Sequence, residues 1–264
     1  MNYDMRRFVD KTVIITGAAG GIGLAAAERL AAEGANLTLV DMTGDGLARA
    51  KEKILVNHPE TKILLVEADV TKEYQVRAYV DKTVGEFGAI DGFFNNAGID
   101  GGQYPLADYT KDLFDKVVDI NLDGVFLGLK YVLQQMVAQG HGRVVNTASI
   151  GGLMGWPHQY GYVASKHAVA GLTKATAGEM GPKGITINAI APGGVKTAMA
   201  IEAMRAINPE HPEEAEAAFA ARVPLKRMAL PEEIAAVAAF LLSEDASYIN
   251  AQIIAVDGGQ ISQS

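Results

Sequence analysis

The chain alternates seven short runs of aliphatic and β-branched residues with six longer stretches of helical spacing. The runs fall at residues 12–16, 36–40, 63–66, 90–94, 143–147, 185–190 and 252–256. Most lack a polar/apolar alternation, which is the signature of strands buried on both faces. Between them, helices are predicted at 24–33, 45–57, 72–87, 111–139, about 161 to 180, and 231–242. Gly34 stops the first, Pro59 ends the second, and Val76, Val80 and Val84 recur at four-residue spacing in the third. Pro231 opens the last, with Glu232 and Glu233 in its first turn. Strand and helix in strict alternation imply an α/β fold: a Rossmann-type, doubly wound, seven-stranded parallel sheet. The expectation is one domain over residues 1–264. Residues 196–228 break the rhythm, with no strand and with Asn208 to Pro212 dividing two helical stretches. So long an insertion after a strand's C-terminal end is expected to be a lid over a ligand pocket.

Composition narrows the partners. A formal charge of −8 argues against nucleic acid or an anionic membrane surface. Without cysteine the chain has no disulfide, no thiolate nucleophile and no Cys-ligated zinc. Its five histidines show no ligand-like spacing, so no metal is expected. Residues 1–8 lack the apolar run of a secretory signal, and no stretch approaches the ~18 apolar residues of a membrane span. A soluble, cytoplasmic protein acting on a small molecule is expected.

The first strand runs straight into a glycine cluster, Gly17-Ala-Ala-Gly-Gly-Ile-Gly23. At a first βα junction such a turn brings backbone N–H groups and a helix N-terminus to a pyrophosphate. Residues 21–26 also satisfy a dinucleotide pattern literally. Because the strand ends at Thr16, the tight turn must begin earlier, and Gly17, Gly21 and Gly23, with Ile22, are the predicted contacts. Asp41 ends the second strand, placed to accept hydrogen bonds from ribose hydroxyls and to repel a 2′-phosphate. No lysine or arginine lies in the glycine turn, and Met42 follows the acid. NAD is therefore expected over NADP.

A second constellation lies between Ser149 and Lys166. On a helix, Tyr162 and Lys166 stand at i and i+4 and share a face. A free phenol has a pKa of about 10, and a neighbouring cation favours its ionised form. The Ser149 hydroxyl, just after a buried strand, is placed to hold a carbonyl oxygen beside that phenol. Tyr160 lies close in sequence, but four residues on from it is Ala164, so it cannot form the same pair.

Together these residues resemble the short-chain dehydrogenase/reductase family over nearly the whole chain. Thr16-Gly17-x-x-x-Gly21-Ile22-Gly23 is similar to its cofactor motif, and Asn95-Asn96-Ala97-Gly98 to its fourth-strand signature. Asn121 resembles its helix asparagine, and Ser149 with Tyr162-x-x-x-Lys166 resembles its catalytic serine and tyrosine–lysine pair. Pro192, Gly193 and Thr197 resemble the segment that wraps the nicotinamide. Through Gly92-Phe-Phe-Asn-Asn-Ala-Gly-Ile99, Gly124-Val-Phe-Leu-Gly-Leu129 and Asn146-Thr-Ala-Ser149, the chain resembles within the family the NAD-linked reductases of cyclic ketones and diketones of the levodione reductase type.

The resemblance implies an NAD-dependent enzyme interconverting a secondary alcohol and a ketone, on a small or cyclic hydrophobic substrate. Sugars, vicinal diols, hydroxysteroids and 3-oxoacyl thioesters stand as alternatives on the same machinery; an NAD sensor without turnover is the rival of another class. It implies a catalytic set of Asn121, Ser149, Tyr162 and Lys166. Tyr162 would exchange the proton, Lys166 would lower the phenol's pKa and bind ribose, and Asn121 would hold a water. Asp69 and Val70 would contact adenine, Asn96, Ala97, Gly98 and Val195 would contact the cofactor, and Pro192, Gly193 and Thr197 would wrap the nicotinamide. Ile150, Gly151, Leu153, Met154, Gln159 and Gly194 would line the substrate pocket. A homotetramer is the family expectation.

Overall fold

The computed structural model describes residues 6–263, so the reading of the leading segment falls partly on residues 1–5, outside the described residues. Seven strands form one parallel sheet: β1 (Thr12–Thr16), β2 (Asn36–Asp41), β3 (Ile63–Glu67), β4 (Gly92–Asn95), β5 (Gly142–Thr147), β6 (Ile185–Pro192) and β7 (Ile253–Val256). Their spatial order is β3-β2-β1-β4-β5-β6-β7. The order reverses between β1 and β4, where a crevice opens beyond the strands' C-terminal ends.

Alternate residues of one strand serve opposite cores, which is why the strands read as continuous apolar runs. Val13 and Ile15 pack under α1 (Gly21–Ala32), α2 (Gly44–Asn57) and α9 (Pro231–Leu242). Ile14 joins the other layer, made by α3 (Glu73–Phe87), α5 (Gly124–Gln139) and α6 (Tyr160–Met180). α7 (Ala198–Ile207) and α8 (Pro212–Arg222) form the 196–228 excursion. Among the described residues no helix is long and apolar enough to cross a membrane.

Three of the departures from the sequence reading shape the site. First, α1 begins at Gly21, three residues early, so that its first residues belong to the glycine cluster itself. Second, β6 extends through Pro192 by pairing with β7 in register Pro192↔Val256.

The third is the largest correction. The single helix expected over 111–139 is divided into α4 (Lys111–Val118) and α5 by a π-helical turn, Asp119–Asp123. The Gly124 N–H bonds the Asp119 carbonyl there, one residue further back than an α-helix reaches. Such single turns re-aim side chains, and the residue at this one's centre is Asn121.

Candidate active site

The glycine turn is held from the neighbouring strand. The Thr16 hydroxyl accepts from the backbone N–H groups of Asn96 at 2.9 Å and Ala97 at 3.0 Å. Asn96 returns an Nδ2–H to the Thr16 carbonyl at 3.1 Å, and its Oδ1 accepts from the Thr147 hydroxyl at 3.1 Å. Asn96 thus ties the ends of β1, β4 and β5 together at the crevice.

Gly17 (φ 67°) and Gly21 (φ 54°) occupy the left-handed region that strains other residues. A Cβ on Gly23 would lie 2.1 Å from the Gly17 carbonyl oxygen, so only a residue without one lets α1 start this close to the turn. The first turn of α1 has no side-chain cap and no acid. Its N–H donors therefore meet the cavity at Gly20, Gly21 and Ile22, an arrangement that fits a diphosphate.

Asp41 closes the other side of this cradle. Its Oδ2 accepts from Ala19 N–H at 3.0 Å, and its Oδ1 from the hydroxyl of Thr43 at 3.2 Å. These bonds hold a carboxylate at the cavity wall with acceptor capacity to spare. Glu67 is paired in register with Asp41, and a Cβ on Gly44 would lie 2.4 Å from its Oε2. The edge beyond β2 thus carries two acids.

Tyr162, Lys166 and Ser149 meet beyond β5. The first turns of α6 bring Tyr162 and Lys166 to one face, with the Lys166 Nζ 5.7 Å from the phenol ring centroid. Lys166 is 3% exposed and donates to the Thr147 carbonyl at 2.7 Å. Ser149 caps a 3₁₀ turn, Ile150–Gly152, accepting from Gly151 N–H at 3.1 Å, and hydrogen-bonds the Tyr162 phenol. Tyr160 points elsewhere, making an edge-on contact with Tyr109 at 5.5 Å between ring centres.

Asn121, wholly buried, spends its side chain on the loop after β4. Its Oδ1 accepts from Ile99 N–H at 2.8 Å, and its Nδ2 donates to the Ile99 carbonyl at 2.9 Å. The amide thus clamps the backbone of Ile99, just past Gly98. A Cβ on Gly98 would lie 3.0 Å from Asn121 Oδ1 and 3.5 Å from Lys166 Nζ, so glycine leaves room for both.

The electrostatics also correct the sequence reading. Burial pushes the Tyr162 phenol above its ordinary value, the bond with Ser149 pulls it down, and the Asp100 carboxylate pushes it further up. The net movement is upward, against the expectation of a phenol lowered by Lys166. Burial instead pushes the lysine down, from 10.5 to about 8. Asp100 is itself pushed up by burial, partly offset by a bond from Gly102 N–H, and it accepts from Gln159 Nε2.

One cavity of about 710 Å³ joins the glycine cradle to this cluster. Gly17, Gly21, Ile22, Asp41, Asn96, Ala97, Gly98, Ser149, Tyr162, Lys166, Pro192, Gly193, Val195 and Thr197 all reach it, as do Ile150, Gly151, Gln159 and Gly194 from the pocket reading. Thr197 caps α7, accepting from Ala200 N–H at 3.3 Å, and its Cγ2 would lie 3.3 Å from a Cβ on Gly21. The start of α7 thus leans over the glycine turn. Gly23 stands behind the wall, against Gly17.

Besides Gly23 and Asn121, four expected site residues do not line the cavity. Asp69 turns its carboxylate onto Thr71, accepting from its N–H at 2.9 Å and its hydroxyl at 2.8 Å. Val70 packs where a Cβ on Gly124 would fall. Leu153 and Met154 lie beyond the 3₁₀ turn, their N–H groups bonded to the Ile150 carbonyl, and Leu153 is exposed. Asp100, Gln103, Trp156 and several residues of α7 and α8 form the wall instead. The sequence pointed to them through the loop after β4, through the loop after β5, where Trp156 was an expected pocket residue, and through the helical excursion. Among the described residues no group of three or more His, Asp or Glu could hold a metal ion.

The family model described as Enoyl-(Acyl carrier protein) reductase matches residues 17–260. Levodione reductase from Leifsonia aquatica is 54% identical over 254 residues, covering 96% of this chain and 95% of the relative. A crystal structure of levodione reductase superposes with a TM-score of 0.96 at 53% identity, over 98% of this chain and all of the other. Cyclohexanol dehydrogenase from Acinetobacter sp. strain SE19 is 37% identical, over 97% of each chain. The structure of an NAD+-bound xylitol dehydrogenase matches with a TM-score of 0.90 at 36% identity, over 96% of this chain and all of the other.

Proposed function

Because this chain belongs to the short-chain dehydrogenase/reductase family, we infer that it interconverts a secondary alcohol and a ketone on a cyclic, largely hydrophobic substrate with NAD(H). The observation that carries this reading is one cavity with a diphosphate-sized glycine cradle and Asp41 at one end and Ser149, Tyr162 and Lys166 at the other. The names of the cyclohexanol and levodione enzymes support the substrate class, as do the apolar side chains of α7 and α8 in the wall.

Gly17, Gly21 and Ile22, with the N-terminus of α1, would hold the diphosphate, and Gly23 would keep that helix close. Asp41 would accept from the adenosine ribose hydroxyls. Asn96, Ala97 and Gly98 would line the middle, and Pro192, Gly193, Val195 and Thr197 the nicotinamide side. When bound, the cofactor supplies the hydride donor or acceptor.

Tyr162 then gives the proton to the substrate oxygen in reduction and takes it in oxidation, a role typically contributing about 10²–10⁴-fold. Its raised pKa keeps the phenol protonated at neutral pH, ready for reduction. Ser149, held by Gly151 N–H beside the phenol, would turn its O–H to the same substrate oxygen. Lys166 would bind ribose hydroxyls through the donors that Thr147 leaves free. Asn121 acts as a positioning residue, through Ile99. We place the protein in the cytoplasm as a homotetramer. Phe126 on α5, 49% exposed, supports a second packed face, and sedimentation as a monomer at micromolar concentration would refute it.

The test is a panel of cyclic ketones, vicinal diols and sugars followed by NADH absorbance, with Tyr162→Phe and Tyr160→Phe in parallel. Cyclic ketones should be turned over. Tyr162→Phe should lose turnover while still binding NADH, and Tyr160→Phe should stay active. The opposite pattern between the two tyrosines overturns the assignment.

A further inference from the structure

We propose that Trp156 and Phe219 form an aromatic roof that sets the size limit of the substrate at about one ring. This rests on the reading of the site as an alcohol/ketone oxidoreductase. The two side chains come from distant segments, Trp156 from the loop after β5 and Phe219 from α8. Their ring centres lie 6.4 Å apart with planes inclined at 39°, and both rings line the cavity.

Phe219 has a seat made for it. A Cβ on Gly194 would lie 2.2 Å from its ring Cε1 and 2.7 Å from its Cζ. The ring therefore lies directly on the backbone just past Pro192 and Gly193, the nicotinamide side of the cavity. Gly194 has no positive φ, so glycine is needed here for space and not for conformation.

The surroundings hold that seat still. The Gly194 carbonyl accepts from Ala229 N–H at 2.9 Å, and Lys196 N–H donates to the Ala229 carbonyl at 2.9 Å. One helical turn before Phe219, Glu216 pairs with Lys196 Nζ at 2.5 Å, fastening α8 to the same segment. The remaining walls at this end include Met199, Met204 and Met228, unbranched side chains that adapt to a ligand. The two aromatic rings are the stiff part of the boundary. On this proposal a single five- or six-membered ring is accepted beneath them, whereas a fused bicycle has to lift Phe219 off Gly194 and part it from Trp156.

The experiment compares kcat/KM, with NADH, for cyclohexanone and the fused bicyclic 2-decalone in the wild type, Phe219→Ala, Phe219→Leu and Trp156→Ala. Thermal melts verify that each variant is folded. The wild type should favour cyclohexanone, and Phe219→Ala should raise the decalone-to-cyclohexanone ratio by about tenfold or more, the scale on which pocket contacts discriminate. Trp156→Ala should move the ratio in the same direction, and Phe219→Leu by less. A Gly194→Ala variant, which pushes the ring from its seat, should resemble Phe219→Ala. Wild-type protein that reduces cyclohexanone while all variants keep its ratio within twofold refutes the roof alone. Wild-type protein that reduces neither ketone refutes the cyclic-ketone reading and the roof with it.

Discussion

Replacing Lys166 by methionine should abolish turnover and yet stabilise the protein near neutral pH. Lys166 is 3% exposed, donates to the Thr147 carbonyl at 2.7 Å, and has its pKa pushed down by burial from 10.5 to about 8. At about 1.36 kcal/mol per tenfold, holding that ammonium inside costs the folded state roughly 3 kcal/mol wherever it is charged in both states. The sign follows from proton counting. Between pH 8 and 10.5 the unfolded chain binds the proton that the folded chain has lost, so this contribution to stability rises with pH across that window. Below it the full cost applies, and above it none. Methionine removes the cost but strands the Thr147 carbonyl, at roughly 1–3 kcal/mol. The net gain at pH 7 is about 1 kcal/mol, and it should shrink by about 2.5 kcal/mol between pH 7 and pH 10 and change sign. In a thermal melt, that is a swing of roughly 5–10 °C in the variant-minus-wild-type difference. A difference that stays constant from pH 7 to pH 10 would refute the account of Lys166 as a buried, partly neutralised amine.

Other perturbations probe the cradle and the phenol. Asp41→Ser should narrow the preference for NAD over NADP about tenfold, roughly 1.4 kcal/mol of lost discrimination; an unaltered kcat/KM ratio would exclude Asp41 as the ribose ligand. Asp100→Asn removes a negative charge that pushes the Tyr162 phenol up, so the pH at which alcohol oxidation reaches half its maximum should fall. An unmoved or rising midpoint contradicts that coupling. Gly23→Ala places a Cβ 2.1 Å from the Gly17 carbonyl, a backbone atom that cannot yield without opening the turn. It should destabilise the fold by about 1–3 kcal/mol and weaken NADH binding, read by melting and by titration. A variant with wild-type melting and affinity would show that the close approach is dispensable.

How far the sequence reached depends on the range of the interactions involved. Buried strands such as Ile14–Ile15 and Val144–Val145 announce themselves because each residue faces one of two apolar layers, leaving no polar positions in the run. The Tyr162–Lys166 pair was legible because helical spacing is local, and the same spacing set Tyr160 aside. The glycine register followed from where β1 must stop. By contrast, the π-helical turn at Asp119–Asp123 carries no spacing signal, because Asn121 is drawn off the helical register by the backbone of Ile99 on another segment. Leu153 and Met154 share their loop with Trp156, yet a 3₁₀ turn sends them away from the cavity that Trp156 reaches.

The sequence by itself thus pointed to the strands, the glycine turn, the acid after β2 and the pairing of Tyr162 with Lys166, since each shows in a residue pattern local in the chain. Only the tertiary structure decided that burial raises the phenol and lowers the lysine, that Asn121 clamps a loop, and that Phe219 lies on Gly194. Desolvation and van der Waals contact depend on what distant segments bring within a few ångströms, and no local pattern of residues encodes that distance.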